Sequence, residues 1–314
     1  MNDLVSVVHA ALRMSTPIVY AALGGLIAEG AGVVNIGIEG IMLAGAFVCL
    51  VAAWLSGSLW LAALAAGAAG AVLSVLFALL AVRMRANPVV VGLGLNGLVA
   101  GGIAYIMQVY FKVRGAFAPP GVTGLPRWDL GPLAKVPFLG PVLSGHTPLV
   151  YLAGVTAVAT WLILYRTRFG LWLRAAGEEP EAARAAGIPV PRVQTLALVL
   201  CGVITAIGGI QLSLGDLTRF NEGMTSGRGF IALAAYYFGQ RQPGPTVAAA
   251  GLFGFFQALQ IRLQSTGYPP QLVQTLPYLI VVLTLSLIAW RRLAIQRRWQ
   301  RAALQRYRTD APGH

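Results

Sequence analysis

The chain has 314 residues, of which 57% are apolar and only 11% charged, with a formal net charge of +13 at pH 7. That excludes an ordinary soluble domain, in which roughly a quarter of residues carry charge. The positive charge also excludes a nucleic-acid partner, because it gathers in short stretches between apolar runs instead of forming a basic face.

Apolar runs long enough to cross a bilayer occupy residues 15–27, 36–55, 59–82, 89–111, 149–165, 193–214, 246–261 and 272–290. Residues 5–12 form an interfacial helix or the start of the first span, and a shorter run, 230–238, crosses or half-crosses between the sixth and seventh. No small-residue cleavage site follows the first run, so no cleavable signal peptide is expected. The fold class is therefore an all-α polytopic membrane protein with about eight to ten transmembrane helices. A transmembrane domain covers 1–290 and a basic tail 291–314.

The arginines then set the orientation. Arg83 and Arg85 share one loop; Arg166, Arg168, Arg174, Arg184 and Arg192 surround another; Arg291, Arg292, Arg297, Arg298, Arg301, Arg306 and Arg308 fill the tail. With these spans all three regions lie on one side, which the positive-inside rule makes cytoplasmic. The tail also attracts anionic lipid. The loop 112–146 lies outside. Trp54, Trp60, Trp161 and Trp290 fall near span ends, as in an aromatic belt.

The opening of the second span, Gly32 to Phe47, carries an amide and a carboxylate among glycines. Asn35 and Glu39 are four apart, so they can share a helix face. Either they line a polar route along a broken helix, or Glu39 sits in the headgroup zone paired with Arg83 or Arg85. Asn96, beside the Gly97-x-x-x-Gly101 pattern, either bonds across helices or faces that route. A segment beginning Gly227-Arg228-Gly229 echoes 35–47 faintly, which points to two inverted-repeat-like halves around a midplane site. Arg228 is placed at the outer mouth with Asp216, Arg219 and Glu222.

Residues 179–189 are polar, helix-forming and flanked by apolar sequence. Pro180 suits the first turn, and Glu178, Glu179 and Glu181 favour the positive end of the dipole. Gly187 and Pro189 then stop the helix. So short a helix needs a partner to lie against. Ala182, Ala183, Ala185 and Ala186 offer a flat face, so the cytoplasmic loop 166–192 reads as a docking element.

Cys49 and Cys201 read as core residues, and His9, His146 and His314 are scattered, so no metal or disulfide framework follows. Lys112 and Lys135 each precede valine and neither follows glycine, so there is no phosphate-cradling P-loop. No cofactor is expected on this chain; a motor using ATP would be a separate polypeptide.

The spacing Glu181-Ala182-Ala183, three residues, then Gly187 resembles the signature loop of permease subunits of ABC importers. Val34-Asn35-Ile36-Gly37-Ile38-Glu39-Gly40 closely resembles the simple-sugar and nucleoside subgroup of the branched-chain amino acid and ribose-type permeases. Asn87-Pro88, Gly92-Leu93-Gly94-Leu95-Asn96 and Gly227 to Ala234 extend the resemblance over roughly 15–290. Tyr236-Tyr237-Phe238-Gly239-Gln240-Arg241 departs from it, since relatives usually carry smaller apolar residues before Phe-Gly.

The resemblance implies a permease in the bacterial plasma (inner) membrane, its C-terminus cytoplasmic. It would carry a nucleoside or simple sugar between two permease chains, with nucleoside favoured by the Asn-Ile-Gly-Ile-Glu-Gly form. ATPase subunits would dock at Glu181, Ala182, Ala183 and Gly187, and an extracytoplasmic binding lipoprotein or periplasmic protein would deliver substrate. Asn35, Glu39, Asn96, Gly227 and Gly229 are the expected pathway residues. An ion-coupled secondary transporter using Glu39 as carrier is the competing class. A membrane enzyme is set aside, because the spans hold no second carboxylate, His cluster or Ser-His pairing.

Overall fold

In the computed structural model, residues 2–129, 131, 139–264, 286 and 290 are described. The chain divides into two compact units, Met1–Leu259 and Gln260–His314. The eighth expected span, the boundary at 290 and the basic tail belong to the second unit and lie almost wholly outside the described residues.

Helices dominate. In chain order they are α1 (Asn2–Gly30), α2 (Ile38–Ser56), α3 (Leu59–Ala78, widening into a π-helical end, Leu79–Arg83), α4 (Pro88–Val109), α5 (Leu139–Leu143), α6 (Pro148–Arg166), α7 (Arg168–Glu178), α8 (Pro180–Ala185), α9 (Val190–Ile210, prolonged by π-helical Gln211–Leu217), α10 (Arg228–Phe238) and α11 (Pro243–Gln264). Strands β1 (Ala116–Phe117) and β2 (Phe220–Asn221) pair antiparallel. Seven helices among the described residues are long and apolar enough to cross a membrane. They match the first seven expected runs to within a few residues, except that α1 begins far earlier and absorbs residues 5–12.

The ends follow local chemistry. Ser58 accepts the Leu61 N–H at the start of α3, and Asn87 accepts the Val89 N–H before Pro88 opens α4. Gly57 closes α2 in the left-handed conformation.

Burial sorts the helices into layers. The apolar window of α1 is 78% buried but that of α6 only 17%. α1, α2 and α9 therefore form the centre, while α3, α4 and α6 present Leu64, Val72, Leu93, Leu98, Val155 and Val158 outward. In a membrane those apolar faces meet lipid or another helix without penalty. The centre is tight because its backbones touch. A Cβ on Gly202 of α9 would run into the Gly70 carbonyl of α3 and the Ser74 hydroxyl. Gly202→Val is expected to cost several kcal/mol, roughly the upper end of core overpacking, and to cut the amount of inserted protein severalfold on a membrane-fraction immunoblot. Normal abundance would show that α3 and α9 do not cross there.

Candidate functional site

The start of α10, against the first turn of α2, and α8, on the surface of the bundle, are polar features set in apolar surroundings.

α10 has 11 residues, about 16 Å of helix, half of a hydrocarbon core about 30 Å thick. It starts against the first turn of α2. Phe220, just upstream, packs edge-on against Phe47 of α2 with ring centroids 5.2 Å apart. Seven residues later the chain has descended to the first turn of α2. There Gly227 takes φ +79° and the helix begins, a conformation that favours glycine. A helix start leaves N–H groups without intrahelical partners. Glu39 meets two of them: Gly227 N–H donates to Oε1 at 2.8 Å and Gly229 N–H to Oε2 at 2.6 Å. One carboxylate thus grips the positive end of α10 with both oxygens. The approach is close, since a Cβ on Gly229 would strike the Glu39 backbone at 2.7 Å.

The expected partner of Glu39 was an arginine or the open route; the structure gives it the backbone of α10. Among the described residues, neither Arg83 nor Arg85 forms an ion pair with it. Asn35 does not share a helix face with Glu39, because α2 starts only at Ile38. Asn35 lies fully buried in the preceding turn, its Oδ1 accepting the Gly37 N–H at 2.9 Å and its Nδ2 directed at Cys201 Sγ at 3.6 Å. Side chains of this type favour such local turns over helix interiors. Asn96 bonds across helices: Oδ1 accepts the Gly40 N–H at 2.7 Å and Nδ2 donates to the Ile36 carbonyl at 3.0 Å. Glu39, Asn96, Gly227 and Gly229 therefore surround the start of α2, with Asn35 behind them. The two echoing segments meet head to head at Glu39. Arg228 sits between the two glycines in sequence, its Nη1 donating to the Met224 and Thr225 carbonyls at 2.9 and 3.3 Å.

α8 is the short helix expected from 179–189. Gly187 N–H donates to the Arg184 carbonyl and Ile188 N–H to the Ala183 carbonyl, at 2.9 and 3.0 Å. That is a Schellman closure, and it needs the left-handed Gly187, φ +80°. Glu181, Ala182, Ala185, Ala186 and Gly187 are exposed. Ala183 corrects the expected four-alanine face. It is buried in a cluster with Leu26, Ile27, Ala31, Leu173, Ala176 and Val193. The periodicity of a single turn cannot show which alanine is the root, because only the body beneath decides it.

Sequence reasoning missed a further pair. Arg241 Nη2 donates to Glu29 Oε1 at 2.6 Å, joining the turn after α10 to the end of α1. Glu29 closes an apolar run as a lone acid, which is the signal the sequence offers.

The sequence profile of the family described as the branched-chain amino acid transport system / permease component matches residues 7–285. The chain belongs to this permease family. It is similar to the nucleoside ABC transporter permease protein NupC of Lactococcus lactis, 33% identical over 94% of this chain and 95% of that protein. It is also 33% identical to the guanosine ABC transporter permease protein NupQ of Bacillus subtilis, over 81% and 82%. Among solved structures it resembles a metal-chelate type ABC transporter in an inward-facing conformation, at TM-score 0.50 and 15% identity, covering 91% of this chain and 85% of that one. At that identity the likeness speaks for the fold alone. As a member of the permease family, the chain is a multi-pass plasma-membrane subunit of an ABC importer and not an enzyme. In that family ATP is used by partner ATPase subunits.

Proposed function

We propose that this permease translocates a nucleoside, with a second permease chain beside it, ATPase subunits docked on α8 and an extracytoplasmic binding protein delivering substrate. The carrying observation is the similarity to NupC and NupQ along most of the chain. The chemistry at the α2–α10 junction agrees with an uncharged solute. The one carboxylate there is already held by two backbone N–H groups, so it offers no free charge to a cation, and the helix start offers none to an anion. Hydroxyls and ring nitrogens of a nucleoside would instead exchange hydrogen bonds with amide and carbonyl groups. A simple sugar is the runner-up, because residues 34–40 resemble a subgroup that includes both simple-sugar and nucleoside permeases. The C-terminal tail is cytoplasmic in this reading.

The test is uptake of labelled guanosine in cells expressing the permease together with ATPase, second permease and binding-protein subunits. Expected is ATP-dependent uptake, suppressed by excess unlabelled nucleosides and not by ribose or glucose. Absence of guanosine uptake together with ATP-dependent uptake of labelled ribose or glucose would establish the runner-up. Uptake that collapses with the ion gradient while ATP is maintained would overturn the importer reading in favour of a secondary transporter.

A further inference from the structure

α10 is fastened at both ends to the first forty residues of the chain. At its start Glu39 holds the N–H groups of Gly227 and Gly229. Just past its end Glu29, whose side chain is only 5% exposed, holds Arg241. The turn that carries Arg241 is unusual. Gln240 and Arg241 both adopt left-handed φ, +51° and +61°, without being glycine. Such backbone persists only where surrounding contacts over-determine it, and the ion pair with Glu29 is one such contact. Next to it the fully buried Tyr236 fills the space beside Gly25, where a Cβ would meet the ring at 2.6 Å and the Ile38 side chain at 2.9 Å. Tyr236 belongs to the same apolar cluster as Ala183, the root of α8, and Ala176 of α7. The end of α1 is pressed against α7 as well: a Cβ on Gly32 would lie 3.1 Å from the Gly177 Cα. Gln194 of α9 donates to the Ala31 carbonyl at 3.1 Å.

These contacts lead from α8 through α7 and α9 to the end of α1, from there to α10, and from α10 to the first turn of α2. We propose that α10 is a strut that moves with the end of α1, and that Glu29 and Arg241 form the positioning joint through which displacement of α8 reaches the α2–α10 junction. This deepens the docking reading of α8 and rests on it. The reason is mechanical. Tyr236 alone gives an apolar contact that can slide, whereas a short ion pair anchored in a strained turn fixes one end of the half-helix to α1. Residues 236–241 are also where the chain departs from the motifs it otherwise resembles.

The test uses the complete transporter with its ATPase subunits, carrying Cys49→Ala and Cys201→Ser, and a single introduced Phe230→Cys on the exposed side of the α10 start. Maleimide labelling of that position is measured with and without ATP, together with ATPase co-purification. In the parent, ATP is expected to change the labelling rate severalfold. Glu29→Gln and Arg241→Gln are each expected to remove most of that change while the ATPase stays bound. The double variant is expected to be no worse than either single, because one shared interaction has been lost. The proposal is overturned if ATP leaves the parent's labelling unchanged, if either single variant keeps the full ATP effect, or if the two losses multiply. If a single variant inserts poorly, the ATP effect per purified complex is read instead, and its survival overturns the proposal equally. Failure of the docking reading shows elsewhere, as an ATPase that still binds after Ala182→Glu.

Discussion

Ala182→Glu and Ala186→Glu on α8 are expected to lower uptake at least about tenfold, equivalent to about 1.4 kcal/mol of lost docking, while leaving membrane abundance near normal. Both side chains are exposed and lie off the buried root of the helix, so the charge meets an approaching partner and not the permease core. A surface substitution of this kind changes intrinsic stability by only about half a kcal/mol. Ala183→Asp should behave differently. Its carboxylate would be forced among Leu26, Ile27, Leu173 and Val193, so abundance itself should fall. Uptake, abundance and co-purification of the ATPase separate the two outcomes. Wild-type uptake and retained ATPase in Ala182→Glu would remove α8 from the docking role.

Glu39→Ala is expected to be more damaging than its single-residue size suggests. Two N–H groups at the start of α10 lose their acceptor, and each buried donor left unpaired costs about 1–3 kcal/mol. Loss of the anion at a partly buried helix start adds up to about 2 kcal/mol. Both abundance and uptake should drop severalfold. Glu39→Gln should be intermediate, because its carbonyl can serve one N–H while its amide group faces the other as a second donor. Neutralising Arg83 or Arg85 should rescue neither variant, since neither pairs with Glu39. Immunoblotting and uptake assays on the same membranes check this. Full abundance and flux in Glu39→Ala would remove the carboxylate from both structure and transport.

The contrast between these two sites shows where a sequence carries its own structure. Residues 179–189 specified α8 closely, because Pro180, the flanking glutamates and Gly187 act within one turn of the backbone they control. The first seven spans were equally legible, since bilayer thickness fixes how long an apolar run must be. So was membership of the permease family, through residues 34–40 and the Glu181 to Gly187 spacing. What the tertiary structure alone decided was the partner of each buried polar group. Glu39 meets α10 across 188 positions of sequence and Glu29 meets Arg241 across 212. Asn35 left the helix that spacing allowed it, because its amide was better satisfied in a local turn against Cys201. Ala183 turned inward because it joins an apolar cluster supplied by α7, α9 and the end of α1. Local pattern sets where a helix begins and ends, and the chain's remote packing chooses which carboxylate holds it there.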